Sequence, residues 1–267
     1  MKDHLKNILL NNDTGQRLNI AREYLQSYIL LLLQKNNFFT IASFVGGTSL
    51  RFIYNLPRFS EDLDFSLKIK QKEFKFIPLI EYLKKELENA GYDISVSYKN
   101  NTNVYIVMLK FENILYDFGL SPNANQKLSI KLDIDTFPPV GFTESITLVS
   151  KYVPLTLAHY DMPSIFAGKM NAMFTRQFIK GRDYYDIFWM LSFYKGISPN
   201  IDFLNNSLKQ FGLDLGINID NWKDKLLEII EGTNMDYVLK DVSVFIEDSL
   251  LLTSFNKQGF RLLLINK

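Results

Sequence analysis

The chain has 267 residues, 47% of them hydrophobic, enough to bury one large core or two smaller ones without staples. It has no cysteine and only two histidines, His4 and His159, far apart in sequence. Disulfide frameworks, thiolate nucleophiles, iron–sulfur clusters and histidine-rich metal sites are thereby excluded, and chemistry falls to carboxylates, lysines, arginines and hydroxyls.

Lys plus Arg is 30 against 29 Asp plus Glu, a formal net charge of +1, so a nucleic acid would have to be held by a local patch. The start, MKDHLKNILLNNDTG, carries no signal-peptide cleavage pattern. The longest aliphatic run, residues 29–33, is far below the ~18 residues of a membrane span. A soluble cytoplasmic protein with no membrane partner is expected. Its aromatic share of 14% argues against disorder.

Residues 18–33 have the apolar spacing of a helix, with Asp13-Thr14 placed to cap it. Residues 38–45 read as a buried strand closed by Gly46-Gly47, and 49–54 as one or two helical turns ending before Pro57. Residues 62–70, D-L-D-F-S-L-K-I-K, alternate polar and apolar as a half-buried strand does. Residues 74–90 read as a helix ending at Gly91. Residues 94–98 and 104–111 read as two strands around Lys99-Asn100-Asn101. Residues 129–137, S-I-K-L-D-I-D-T-F, alternate again, and Pro138-Pro139 stops them. After Pro154 the pattern changes, and residues 157–178, 183–193, 201–211, 222–230 and 236–252 all read as helices. The expected fold class is α/β in two domains. Residues 1–150 form a mixed β-sheet flanked by helices, and residues 151–267 form a helical domain that closes the active-site cleft.

The richest segment for chemistry is residues 45–65, V-G-G-T-S-L-R-F-I-Y-N-L-P-R-F-S-E-D-L-D-F. Gly46 and Gly47 allow a tight turn and close approach to a ligand. Thr48 and Ser49 add hydroxyls, and the helix start behind them offers free N–H groups, a combination suited to phosphate. The segment is neither a Walker A loop nor a G-x-G-x-x-G fingerprint. Asp62 and Asp64 leave one face of a strand while Leu63 and Phe65 enter the core. Two adjacent carboxylates repel unless a cation sits between them, and Mg2+ is the cation that joins carboxylates to phosphates. On the second alternating strand Lys131, Asp133 and Asp135 share a face, so either Asp133 or Asp135 can complete a three-carboxylate site.

Further on, Lys169, Met173 and Arg176 stand at i, i+4 and i+7, which puts two cations on one helix face. Lys169, Arg176, Lys180 and Arg182 form a local basic stretch, followed by Asp183 and Asp186 at i and i+3. Asp183 also reads as a helix N-terminal charge, and Arg58 as the partner of a nearby carboxylate. His159 reads as a structural or surface residue. Tyr184, Tyr185, Phe188 and Trp189 read as core packing.

Residues V45-G-G-T-S-L-R51 followed by R58-F-S-E-D-L-D-F65 resemble the first motif of the polymerase-β-like nucleotidyltransferase superfamily, in its AbiEii-type toxin form. The spacer between the glycines and Asp62 is slightly longer than the usual pattern. Lys131-Leu132-Asp133-Ile134 resembles the second motif, Lys169 through Arg176 the third, and Arg182-Asp183-Tyr184-Tyr185-Asp186 the fourth. The resemblance spans about residues 40–195. It implies an Mg2+-dependent transfer (Mn2+ as substitute) of a nucleoside monophosphate from a nucleoside triphosphate to an acceptor hydroxyl, with release of pyrophosphate. Asp62, Asp64 and Asp133 are its implied metal ligands and, with Lys169, its catalytic residues. Gly46, Gly47, Thr48, Ser49, Arg51, Arg58, Lys131, Arg176 and Asp186 are implied at the nucleotide. The implied acceptor is RNA, the 3′ end of tRNA, and the implied partner is an antitoxin protein. Two alternatives stand beside it: transfer to a small molecule such as an antibiotic, and nucleotide or nucleic-acid binding without transfer.

Overall fold

The computed structural model describes residues 2–11, 14–70, 74–100 and 103–265. Helices α1 (Lys2–Leu10) and α2 (Arg17–Lys35) open the chain, followed by β1 (Ala42–Val45), α3 (Gly46–Ile53), β2 (Leu63–Leu67) and α4 (Phe76–Asn89). Next come β3 (Ile94–Asn100), β4 (Val104–Phe111), the single turn α5 (Ile114–Asp117), β5 (Leu128–Asp135), β6 (Glu144–Ser150) and β7 (Pro154–Tyr160). Helices α6 (Met162–Thr175), α7 (Gly181–Phe193), α8 (Ile201–Gln210), α9 (Trp222–Gly232), α10 (Met235–Ser243) and α11 (Lys257–Ile265) complete it.

The strands form one mixed seven-stranded sheet in the order β3-β4-β5-β2-β1-β7-β6. The alternating sequences sit at its centre. In β5, Leu128, Ile130, Leu132 and Ile134 are buried while Ser129, Lys131, Asp133 and Asp135 are half-buried on the other face. β5 runs parallel to β2 with Asp64 opposite Asp133, and β2 runs antiparallel to β1.

Packing divides the chain into two units. The first is Met1–Ile53, Phe59–Pro138 and Ile146–His159; the second is Tyr54–Arg58, Pro139–Ser145 and Tyr160–Lys267. In the first unit, Leu25 and Ile29 of α2 and Leu83 and Leu87 of α4 join the sheet residues Phe44, Phe65, Leu109 and Leu132 in one core. In the second, Tyr185 and Phe188 of α7 meet Phe255 at 5.4 and 5.2 Å between ring centroids, and Phe166 meets Trp222 at 5.5 Å. Among the described residues no helix is long and apolar enough to cross a membrane.

Several elements depart from expectation. Residues 38–40 form a 3-10 turn entered from Asn37 at φ +58°, so the strand begins only at Ala42. The Phe38 and Phe39 rings pack on Phe65 instead. Residues 157–160 belong to strand β7, where Phe44 pairs with His159, and the helix waits until Met162. Asp161 is the cause: its carboxylate accepts the Ser164 N–H at 2.9 Å, and Pro163 sits in the first turn. Strand β6 and helices α1, α5 and α11 were not expected. Residues 236–252 form two pieces, α10 and a 3-10 turn at Ser249–Leu252. A 3-10 turn (Thr14–Gln16) precedes α2, whose cap position is Gln16, without a side-chain bond. Asp13 and Asn101 lie outside the described residues.

Candidate active site

The site in the first unit begins where β1 turns into α3. Gly46 has φ +79°, and a β-carbon there would run into the Asp64 carboxylate. Both the backbone angle and the close approach require glycine. The glycine pair forms the first turn of α3 itself rather than a separate loop. Thr48 and Ser49 are fully buried, and their hydroxyls serve the fold. Thr48 Oγ1 donates to the Asp62 carbonyl, and Ser49 Oγ donates to the Gly46 carbonyl at 2.8 Å. What this turn offers a phosphate is the backbone N–H groups of a helix start, while Thr48 ties that start to Asp62.

A residue outside every expected motif holds the same place from the other side. Gln26, buried on α2, donates from Nε2 to the carbonyls of Ser60 at 3.0 Å and Glu61 at 2.9 Å, immediately before Asp62. Its sequence signal was slight: one amide in the apolar run Y-L-Q-S-Y-I-L.

Asp64 and Asp133 are register partners on adjacent parallel strands, so their side chains leave the same face. Lys131 lies between the carboxylates, with Nζ 2.7 Å from Asp133 Oδ2 and 3.7 Å from Asp62 Oδ2. Burial works against its ammonium, but the carboxylates of Asp133, Asp62 and Asp64 outweigh it and hold its pKa above the ordinary lysine value. The other Asp133 oxygen, Oδ1, is buried without a hydrogen-bond partner among the described residues. Asp135 stands opposite Ser66, accepts the Phe137 N–H at 2.8 Å, and is pushed above the usual carboxylate range by burial. The geometry therefore groups Asp133, not Asp135, with Asp64. Among the described residues no three carboxylate or imidazole side chains form a ready-made metal cluster.

Arg51 and Arg58, expected at the nucleotide, are both spent on internal ion pairs. Arg51 Nε lies 2.5 Å from Glu23 Oε2, its guanidinium over the Phe59 ring at 4.6 Å. Glu23 also accepts Lys151 at 2.9 Å and the Tyr152 hydroxyl at 2.8 Å. Burial alone would raise the Glu23 pKa, but Lys151 and Arg51 overcome it and hold it below the ordinary value. In the second unit Arg58 makes a two-pronged pair with Asp186, Nε to Oδ1 and Nη2 to Oδ2, both 2.6 Å, with both side chains buried. A buried guanidinium is stabilised by a carboxylate partner, and Glu23 and Asp186 fill that role, Asp186 by taking the planar fork of Arg58.

The network of the second unit continues past Asp186. Lys169 Nζ lies 2.7 Å from Asp186 Oδ2 and 2.8 Å from Asp183 Oδ1, and Arg176 Nη1 donates to Asp183 Oδ2. Asp183 is thus an internal partner of two cations. Its pKa is raised by burial but more than compensated by Lys169 and Arg176, so it stays below the carboxylate range. Lys169 uses two of its three N–H donors here, and Arg176 is the member of the network that reaches solvent. His159 is buried, its Nε2 2.9 Å from the Thr147 hydroxyl, which fits a structural residue.

Over residues 29–237 the chain matches the family described as nucleotidyl transferase AbiEii toxin, type IV TA system. It belongs to that family. This AbiEii protein is accordingly a nucleotidyltransferase of the toxin type, with a nucleoside triphosphate as substrate and an antitoxin as partner. Solved structures share its fold. MenT4, a nucleotidyltransferase toxin from Mycobacterium tuberculosis H37Rv, aligns over 100% of this chain and 90% of its own, with 15% identity and a TM-score of 0.62. JHP933 from Helicobacter pylori aligns over 92% and 88%, with 23% identity and a TM-score of 0.54. No curated protein matches by sequence.

Proposed function

We propose that this AbiEii-family protein transfers a nucleoside monophosphate from a nucleoside triphosphate to the 3′ hydroxyl of tRNA in an Mg2+-dependent reaction. One observation carries the site: Asp64 and Asp133 are side by side on parallel strands, and Asp133 keeps a buried oxygen with no partner among the described residues. A buried carboxylate oxygen left unpaired is costly unless a ligand takes it.

Asp62, Asp64 and Asp133 are the ligands assigned to the metal. They are hard oxygen donors, which fits Mg2+ and its substitute Mn2+. A divalent ion held there would supply charge neutralisation at the phosphates and activation of the acceptor hydroxyl. The chain's own groups do the rest. The first-turn N–H groups at Gly46 and Gly47 hold phosphate oxygens, with Thr48 and Ser49 fixing the shape of that turn. Lys131 keeps the carboxylates from repelling each other when no other cation is near. The third donor of Lys169 and the exposed end of Arg176 are assigned to the triphosphate; Arg58 and Asp186 hold Lys169 in place. Catalysis then rests on positioning and electrostatics, with no covalent enzyme intermediate. A tRNA acceptor implies the cytoplasm as the working compartment.

The test is one gel. Purified protein and an Asp64→Ala control are incubated with total tRNA, Mg2+ and each labelled nucleoside triphosphate in turn. Label on tRNA that vanishes in the control supports the reading. Pyrophosphate release with small-molecule acceptors only would replace tRNA by a small molecule. Nucleotide binding without turnover over any acceptor would replace transfer by binding.

A further inference from the structure

We propose that residues 176–180, Arg-Gln-Phe-Ile-Lys, form a binding site for one nucleotide unit of single-stranded RNA, with Lys180 on the phosphodiester and Phe178 stacked on the base. The inference rests on the RNA-acceptor reading above and deepens it.

The segment leaves α6 and enters α7 within the second unit. It borders a small open cavity of about 100 Å3 whose lining includes Met173, Arg176, Phe178, Lys180, Asp183 and Tyr184. Two carboxylates border the segment, and both have partners: Asp241 accepts the Gly181 N–H at 2.7 Å. Asp183 is already held by Lys169 at 2.8 Å and by Arg176. Lys180 is half-buried at the position that precedes α7. Burial first, then the cations Lys169, Arg182 and Arg176, press its ammonium below the ordinary lysine value, against the opposing pull of Asp183.

Phe178 supplies the second half. It is 67% exposed, with the Arg176 guanidinium 5.9 Å from its ring centroid. A solvent-facing aromatic ring beside paired cations is the arrangement that holds single-stranded nucleic acid, because every base has a face to stack and every linkage a phosphate. Charge separates RNA from a free triphosphate. Arg176 is offset by Asp183, which leaves Lys180 as the surplus cation. That suits the single charge of a phosphodiester better than the several charges of a triphosphate.

The experiment is fluorescence anisotropy of the full chain with a short, unstructured, 5′-labelled RNA, in EDTA and without nucleotide, over a series of salt concentrations. Lys180→Gln is expected to weaken binding about threefold to tenfold and to flatten the log–log salt slope by ~0.7. Phe178→Ser is expected to weaken it about tenfold, and Phe178→Trp to restore it. Both side chains reach solvent, so melting temperatures should match the wild type. RNA affinity equal to wild type in Lys180→Gln and Phe178→Ser overturns the proposal, as does a wild type that binds no RNA. Loss of nucleoside triphosphate affinity in these variants with RNA affinity unchanged also overturns it, by moving the site to the substrate. Label transfer by the wild type is measured alongside. Transfer to tRNA with unaffected variants retires the segment and keeps the transferase reading. RNA binding lost in the variants, with no transfer by the wild type, does the reverse.

Discussion

Lys131 places its ammonium 2.7 Å from Asp133 Oδ2, while Asp133 Oδ1 lies buried with no partner among the described residues. One oxygen is thus neutralised by the protein and the other is left for something else. The cluster of Asp62, Asp64, Asp133 and Lys131 carries three negative charges against one positive. Removing one carboxylate should relieve repulsion while removing a ligand. Asp133→Asn and Asp64→Asn are therefore expected to keep the wild-type melting temperature or raise it, and to lose at least ~100-fold in transfer. EDTA should abolish transfer and Mg2+ restore it. Labelled-nucleotide incorporation and thermal melting check both halves, and an Asp64→Asn enzyme of full activity would remove the metal site.

Gln26 should matter out of proportion to its distance from any expected motif. Gln26→Leu strips two carbonyls, Ser60 and Glu61, of their donor just before Asp62. The expected cost is ~1–3 kcal/mol in urea unfolding. Because Asp62 moves with that backbone, half-saturation by Mg2+ should also rise, which a general loss of stability does not produce. An unchanged Mg2+ dependence would limit Gln26 to a structural role.

Arg58 and Asp186 form a buried pair whose partners depend on each other. Arg58→Met leaves Asp186 with Lys169 alone and should cost ~3–5 kcal/mol. The double change Arg58→Met with Asp186→Leu should recover a large part of that, although Lys169 then loses one of its two carboxylates. Chemical denaturation of the single and double variants reads the coupling directly. Equal losses in both would show that the pair contributes through packing alone.

Acid should weaken the fold through two carboxylates in particular. Glu23 and Asp183 both have folded pKa values below their ordinary ones, held down against burial by Lys151 and Arg51 and by Lys169 and Arg176 respectively. For a depressed carboxylate the unfolded chain binds the proton first. Their stabilisation is then complete above the unfolded pKa and lost as pH falls through the folded one. Stability should be flat near neutrality and fall below about pH 4. Glu23→Gln should make that acid slope shallower; an unchanged slope would mean other carboxylates govern it.

Gly46→Ala tests the turn. Its φ of +79° and its contact with the Asp64 carboxylate both oppose a methyl group. A loss of more than ~1 kcal/mol is expected, together with reduced transfer as Asp64 is displaced. Alanine tolerated at full activity would mean that the turn can relax.

The sequence alone determined the chemistry-bearing strands and their faces. Alternation in residues 62–70 and 129–137 sorts carboxylates from core side chains by a strand's period of two; the structure keeps it through Leu128–Asp135, while the first strand is only Leu63–Leu67, with Asp62 just before it and Ser66 buried. Motifs local in the chain also carried the resemblance to the family, which the match over residues 29–237 then showed. Which strand lies beside which is a long-range matter. Only the tertiary structure set Asp64 opposite Asp133 and turned Asp135 onto its own backbone. Only it spent Arg51 and Arg58 on Glu23 and Asp186, because a motif shows that a guanidinium is present but not whether burial has already supplied its carboxylate. Gln26 escaped notice for the same reason: its acceptors lie more than thirty residues away, brought to it by the packing of α2.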